Sequence, residues 1–280
     1  MEEMLRGAAV VGQSGGPTAA INATLAGVIK GYFESREAVT KLYGMKNGIE
    51  GFLCERMCDL GSIFSDEKGD VDTEKLSLLS QTPAAALGSC RKKLPDPSAE
   101  PEFYEKLIAL FKKYDIRYFF YIGGNDSMDT VAKLTKYLET SDYKMRVMGV
   151  PKTIDNDLSC TDYTFGFDTA VSVACEAADR LHSTALSHSR IMVLEVMGRY
   201  AGWIALAAGI SGGADAILIP EIPYDIQKVA DSLKERASRG KNFAVVVVAE
   251  GAKSVFGELH VNKVIEGSPD PIRLGGIGNK

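Results

Sequence analysis

The feature that most constrains the fold is a sustained alternation of short, wholly apolar runs with longer amphipathic ones. Ala8 to Val11 precedes a helical pattern at Ala20 to Phe33, and Ala38 to Tyr43 comes next. Glu102 to Lys113 reads as a helix, followed by the run Tyr118 to Ile122, a helix from Ser127 to Leu138 and the run Met145 to Val150. A helix at Asp168 to Leu186 then leads into Ile191 to Val196, Ala201 to Gly209, Ala216 to Ile219, Ile226 to Ser238 and Ala244 to Val248 in the same rhythm. Continuous apolar runs of this length are strands buried on both faces, and intervening helices supply the crossovers, so the chain is α/β with mainly parallel sheets. The polar, Gly-containing stretch 160–168 is a crossing between two domains, placed at 1–166 and 167–280.

In such folds ligands sit beyond the carboxyl ends of the strands, where the loops converge. Three loops in that position carry chemistry: Gly12-Gln13-Ser14-Gly15-Gly16, Gly123-Gly124-Asn125-Asp126-Ser127, and Pro151-Lys152-Thr153-Ile154-Asp155-Asn156-Asp157. Glycines at a strand end before a helix let backbone N–H groups approach an anion, and the helix N-terminus adds partial positive charge. Alone, Gly15 and Gly16 would sooner be read as tight-turn residues, and Asp126 or Ser127 also as a routine N-cap. The third loop is more particular. Lys152 is a compact positive charge, and an extended backbone would turn Asp155 and Asp157 to one side, as a base and a metal-linked carboxylate require. An aspartate at a phosphate loop repels a polyphosphate unless a lysine or metal offsets it, so Asp126 is a candidate donor selector.

Composition excludes several alternatives. A formal charge of -5 gives no cationic field for nucleic acid. The five cysteines are scattered and only three histidines accompany them, which makes no zinc pattern and suits reduced thiols in the cytoplasm. The N-terminus lacks an apolar signal region, and the most apolar stretch, Trp203 to Pro220, is broken by Ser211-Gly212-Gly213 and Asp215, so neither export nor a membrane span is expected.

Together with Leu87-Gly88-Ser89-Cys90-Arg91, Thr161 to Ala170, Glu195-Val196-Met197-Gly198-Arg199 and Ala249-Glu250-Gly251, these loops resemble the phosphofructokinases, and specifically their pyrophosphate-dependent branch, over almost the whole chain. The resemblance implies two Rossmann-like domains, the first for the phosphoryl donor and the second for the sugar phosphate. ATP-dependent members typically have glycine at the positions of Asp126 and Lys152. The pair therefore implies pyrophosphate as donor, with Asp126 filling the place of the ATP α-phosphate and Lys152 contacting pyrophosphate. Gly15, Gly16, Arg91, Gly124, Asn125 and Ser127 would bind the donor. Asp155 would be the base toward the sugar 1-hydroxyl, and Arg199 would stabilise the transferring group.

Fructose 6-phosphate would meet Thr153, Asp155, Met197, Gly198, Arg199 and Glu250, with Arg190 reaching the sugar phosphate of a neighbouring subunit in a homo-oligomer with shared active sites. Magnesium would use Asn125 and Asp157, although Asn125 departs from the family's aspartate and a neutral amide is the poorer ligand for a hard cation. The family's later Gly-His-Ile-Gln-Arg-Gly-Gly-like run does not occur in these residues, so the C-terminal domain is expected to be truncated. The competing readings are an ATP-dependent 6-phosphofructokinase and a non-catalytic, truncated subunit.

Overall fold

The computed structural model describes residues 4–18, 20–257, 261–264, 272–274 and 276–279. The chain forms two compact units, Met1–Lys152 and Thr153–Lys280.

The first unit runs β1 (Gly7–Gln13), α1 (Ile21–Glu34), β2 (Val39–Met45), α2 (Gly48–Leu53), β3 (Met57–Asp59), α3 (Leu60–Ile63), α4 (Thr73–Gln81), α5 (Pro101–Lys113), β4 (Ile116–Gly123), α6 (Asn125–Glu139) and β5 (Arg146–Pro151). Its sheet has the order β3-β2-β1-β4-β5 and is parallel except for the antiparallel edge pair β2–β3. Every residue of β1 is buried, which is why its sequence shows no polar alternation. Alternate side chains still separate. Ala8 and Val10 join a core with Leu107 and Phe111 of α5, whereas Ala9 and Val11 join another with Ile21, Leu25 and Ile29 of α1. The helical spacing of those last three residues presents one apolar stripe to the sheet. Helices therefore cover both faces, and the strand order reverses at β1, where β2 lies on one side and β4 on the other. Such a switch point, at the carboxyl ends of β1 and β4, is the usual ligand position in open α/β sheets.

The second unit contains α7 (Phe167–His188), β6 (Ile191–Val196), α8 (Trp203–Ser211), β7 (Ala216–Leu218), α9 (Ile226–Ser238), β8 (Ala244–Ala249), β9 (Val261–Val264), β10 (Ile272–Leu274) and a 3-10 turn at Ile277–Asn279. Strands β6-β8-β7 form a parallel sheet in that order, and β9 and β10 make a separate antiparallel pair. β8 is central and buried throughout. α8 lies close to β7, because a side chain at Gly209 would meet Ile217 Cγ1 at 2.6 Å. On the other side the apolar stripe of α9, Ile226, Val229 and Leu233, lines a cavity of about 730 Å³ with Ile191, Val193 and Val246.

The two units divide at Lys152, ahead of the 166/167 boundary read from composition. Pro151 remains in register with Gly123, and Lys152 N–H donates to the Gly123 carbonyl at 2.8 Å, which keeps both residues on the first sheet. Residues 153–166 belong instead to the second unit: Asn156 accepts from Thr164 N–H at 2.8 Å, and Ile154 packs with Phe167.

Candidate active site

In the first unit the phosphate-type turn is built at the end of β1. Gly15 has φ +76°, a left-handed conformation in which glycine is unstrained, and a methyl group added there would lie 3.4 Å from Lys152 Nζ and 3.7 Å from Gly124 N. The ends of β1 and β4 and the residue after β5 therefore meet around Gly15. Gly123 has a packing reason: a Cβ there would sit 1.9 Å from Ser127 Oγ. Lys152 is only 7% exposed, unusual for a lysine.

Gly124 occupies the N-cap of α6, with no side-chain cap hydrogen bond, and Asn125, Asp126 and Ser127 form the first helical turn. The capping alternative for Asp126 and Ser127 is thereby corrected: both lie inside the helix, because the Gly124 carbonyl already receives the N–H groups of Ser127 and Met128 at 2.9 and 3.1 Å. Ser127 is buried, and its Oγ has no hydrogen-bond partner among the described residues. A buried hydroxyl and the start of a fifteen-residue helix are polar features suited to a phosphate oxygen.

Arg91 is carried by a strap fastened to the same turn. The Cys90 carbonyl accepts from Gly15 N–H and Ser14 Oγ–H, both at 3.1 Å, and the Ser89 hydroxyl donates to the Gly15 carbonyl. Beneath the turn, fully buried Gln13 and Asn22 bond to each other at 2.9 Å, and Asn22 also accepts Ala86 N–H and donates to the Thr82 carbonyl. A further residue, absent from the sequence reading, enters the site: Lys93 Nζ lies 3.0 Å from Asp126 Oδ1. Nothing local in the sequence pairs these two residues. The only pointer was the requirement that some cation offset Asp126.

In the second unit Asp155 N–H donates to Thr153 Oγ1 at 3.1 Å, which forms a tight turn. Asn156 has φ +57°, so the segment is not extended throughout and strand alternation does not place Asp155 and Asp157 on one side. The Asn156 side chain holds the following loop instead, donating to the Asp162 carbonyl at 3.2 Å and accepting from Thr164 N–H.

Met197, Gly198, Arg199 and Glu250 come together at the carboxyl ends of β6 and β8. Glu250 N–H donates to the Val196 carbonyl at 2.9 Å, and Gly251 N–H to the Gly198 carbonyl at 3.1 Å. Gly198 has φ +139°, and a Cβ at Gly251 would meet the Arg199 carbonyl oxygen at 2.0 Å, so both positions require glycine. Burial pushes the Glu250 carboxyl above its ordinary range and the Glu195 charge adds to this, against the opposing pull of Arg199 and the Gly198 N–H. Glu195 in turn accepts Gly276 and Gly278 N–H at 2.8 and 3.1 Å. Arg190 is not part of this group. It precedes β6, whose six residues separate it from Met197 by roughly 20 Å of extended chain. His182 bonds the Gly212 carbonyl at 2.7 Å and meets the Phe243 ring edge-on, which ties α7 to the segments around those residues.

No group of three or more His, Cys, Asp or Glu side chains able to hold a metal occurs among the described residues. No helix among the described residues is long and apolar enough to cross a membrane.

The parallel α/β units, the glycine turn beside the start of α6 and the Arg–Glu cluster at the second sheet's carboxyl end are those of an α/β protein whose polar residues gather at strand ends. The chain belongs to the phosphofructokinase family, whose sequence model, "Phosphofructokinase", matches residues 8–269. It is 60% identical over 159 residues to "ATP-dependent 6-phosphofructokinase 2" of Clostridium perfringens, covering 57% of this chain and 42% of that protein. It is 39% identical over 250 residues to "Pyrophosphate--fructose 6-phosphate 1-phosphotransferase" of Halomonas elongata, covering 86% and 58%. The crystal structure of a pyrophosphate-dependent phosphofructokinase from Nitrosospira multiformis superposes with a TM-score of 0.77 at 37% identity, over 89% of this chain and 62% of that one. The chain thus spans less than two thirds of each of these relatives.

Proposed function

We propose that this chain serves phosphoryl transfer from pyrophosphate to the 1-hydroxyl of fructose 6-phosphate, giving fructose 1,6-bisphosphate and orthophosphate, reversibly, in cytoplasmic glycolysis. The observation that carries the donor assignment is the pair Asp126 and Lys152, charged residues where ATP-dependent members typically have glycine. Lys152 is buried beside the Gly15 turn, where it would contact pyrophosphate and stabilise the transferring group. Asp126 in the first turn of α6 would exclude the larger nucleotide by filling the place of its α-phosphate. Gly15, Gly16, Arg91, Gly124, Asn125 and Ser127 complete the donor residues.

Asp155 accepts the proton of the sugar hydroxyl as its oxygen attacks phosphorus in line with the departing phosphate. The transition state is loose, so little deprotonation is needed early and an ordinary carboxylate suffices. Arg199 stabilises charge on the transferring phosphoryl group, while Thr153, Met197, Gly198 and Glu250 hold the sugar. Asn125 and Asp157 would hold magnesium, which neutralises phosphate charge when bound. Arg190 would serve a neighbouring subunit of a homo-oligomer, a role supported by its position at the opposite end of β6 from the sugar residues.

The ATP-dependent alternative is favoured by the name of the Clostridium perfringens relative. The deciding experiment compares fructose 1,6-bisphosphate formation from fructose 6-phosphate and magnesium with pyrophosphate and with ATP. Turnover with pyrophosphate alone supports the proposal. Preference for ATP, or silence with both donors from folded protein, would overturn it.

A further inference from the structure

Asp126 presents a charge conflict. A carboxylate in the first turn of α6 suits the helix's partial positive charge, yet beside a phosphate turn it repels the donor that the turn would receive. The structure supplies a counter-charge in Lys93, whose Nζ lies 3.0 Å from Asp126 Oδ1. Both side chains are partly exposed, so the contact alone would carry little weight. The backbone around Lys93 gives it more. On one side the Cys90 carbonyl is held by Gly15 N–H and Ser14 Oγ–H. On the other, Leu94 is buried and its carbonyl accepts from Lys133 Nζ at 3.0 Å, with Lys133 steadied by Asp129 at 2.8 Å. Lys133 and Asp129 belong to α6, the helix that carries Asp126. The strap is thus fixed to the glycine turn before Lys93 and to α6 after it, which delivers the ammonium to Asp126.

We propose that Lys93 is a donor-specificity residue, which neutralises Asp126 so that this carboxylate obstructs a larger nucleotide by its bulk without repelling pyrophosphate. This inference rests on the pyrophosphate reading of the donor site. The selector is then an ion pair between the strap and the first turn of α6, and Asp126 without Lys93 would weaken pyrophosphate binding as well as obstruct the nucleotide.

The test is Lys93→Met, which keeps the stem and removes the charge, made alone and combined with Asp126→Gly. In the single variant KM for pyrophosphate should rise about three- to ten-fold at low salt, while KM for fructose 6-phosphate stays within about two-fold. In the Asp126→Gly background the effect should shrink, because the charge being offset is gone. Calorimetric titration of magnesium pyrophosphate into the enzyme should give the same pattern without turnover. An unchanged pyrophosphate affinity in Lys93→Met would overturn the inference. So would a loss equally large or larger without Asp126, which would make Lys93 a direct phosphate ligand. Wild-type protein that binds ATP and not pyrophosphate, or neither, would overturn the donor reading itself, an outcome distinct from pyrophosphate binding indifferent to Lys93.

Discussion

Lys152 donates its backbone N–H to the Gly123 carbonyl at 2.8 Å, so the lysine that reaches the Gly15 turn is anchored to the strand end that opens the α6 turn. The anchoring bond is main-chain and survives any substitution at position 152 that keeps the N–H. Replacing Lys152 by glycine therefore changes the charge at the turn while leaving the strand pairing in place.

The double variant Asp126→Gly with Lys152→Gly should move donor preference toward ATP. Loss of one well-placed charge at a transferring phosphoryl group costs on the order of 100-fold in rate, so kcat/KM with pyrophosphate should fall by about that factor while ATP use rises. Steady-state kinetics with both donors checks this. An unmoved preference would remove both residues from donor selection.

Asp155→Asn should lower kcat by about 100- to 10,000-fold, the usual contribution of a positioned base. The turn made by Asp155 N–H on Thr153 Oγ1 does not depend on the carboxylate, so circular dichroism should be unchanged. Product formation near the wild-type rate would refute the assignment.

Glu250→Gln carries a pH signature. Burial and the neighbouring Glu195 raise the Glu250 carboxyl above its ordinary value of 4.5, so the fold holds this proton more tightly than the unfolded chain does. The associated stability is complete below the ordinary value and is lost as pH rises through the folded one. Removing the charged form should therefore raise Tm at neutral pH, with the gain vanishing as pH falls to the ordinary carboxyl value, while affinity for the sugar phosphate falls. A pH-independent Tm difference in thermal melts would contradict burial and Glu195 as the cause.

Gly251→Ala should weaken the Arg199 site without touching its side chain. The added Cβ would fall 2.0 Å from the Arg199 carbonyl oxygen, so one backbone must move, at a cost of about 1–3 kcal/mol of stability. Denaturant titration and KM for fructose 6-phosphate together check it, and wild-type values for both would show that the two backbones are free to part.

Much of the fold was legible because long elements with a buried face repeat one period. Ile191–Val196 and Ile226–Ser238 match the sequence pattern to the residue, and β1, β4, β5 and β8 match it to within a few. The region between β2 and α5 was not legible. α2 and α3 are short, and β3 is a three-residue antiparallel edge strand, too brief to show a period. Asp59, which caps α3 by accepting Ser62 N–H, and Asp72, which caps α4 by accepting Lys75 N–H, both at 3.0 Å, were local signals available there.

The sequence by itself determined the parallel α/β class, the three loops at strand ends and the family, because these rest on local periodicity and on residues contiguous in the chain. Only the tertiary structure decided the division at Lys152, the left-handed turn at Asn156, the burial of Lys152 beside Gly15 and the pairing of Lys93 with Asp126. The division, the burial and the ion pair depend on segments distant in sequence being brought together by strand order and packing. The Asn156 turn is held by bonds to the loop after it, which strand alternation does not encode.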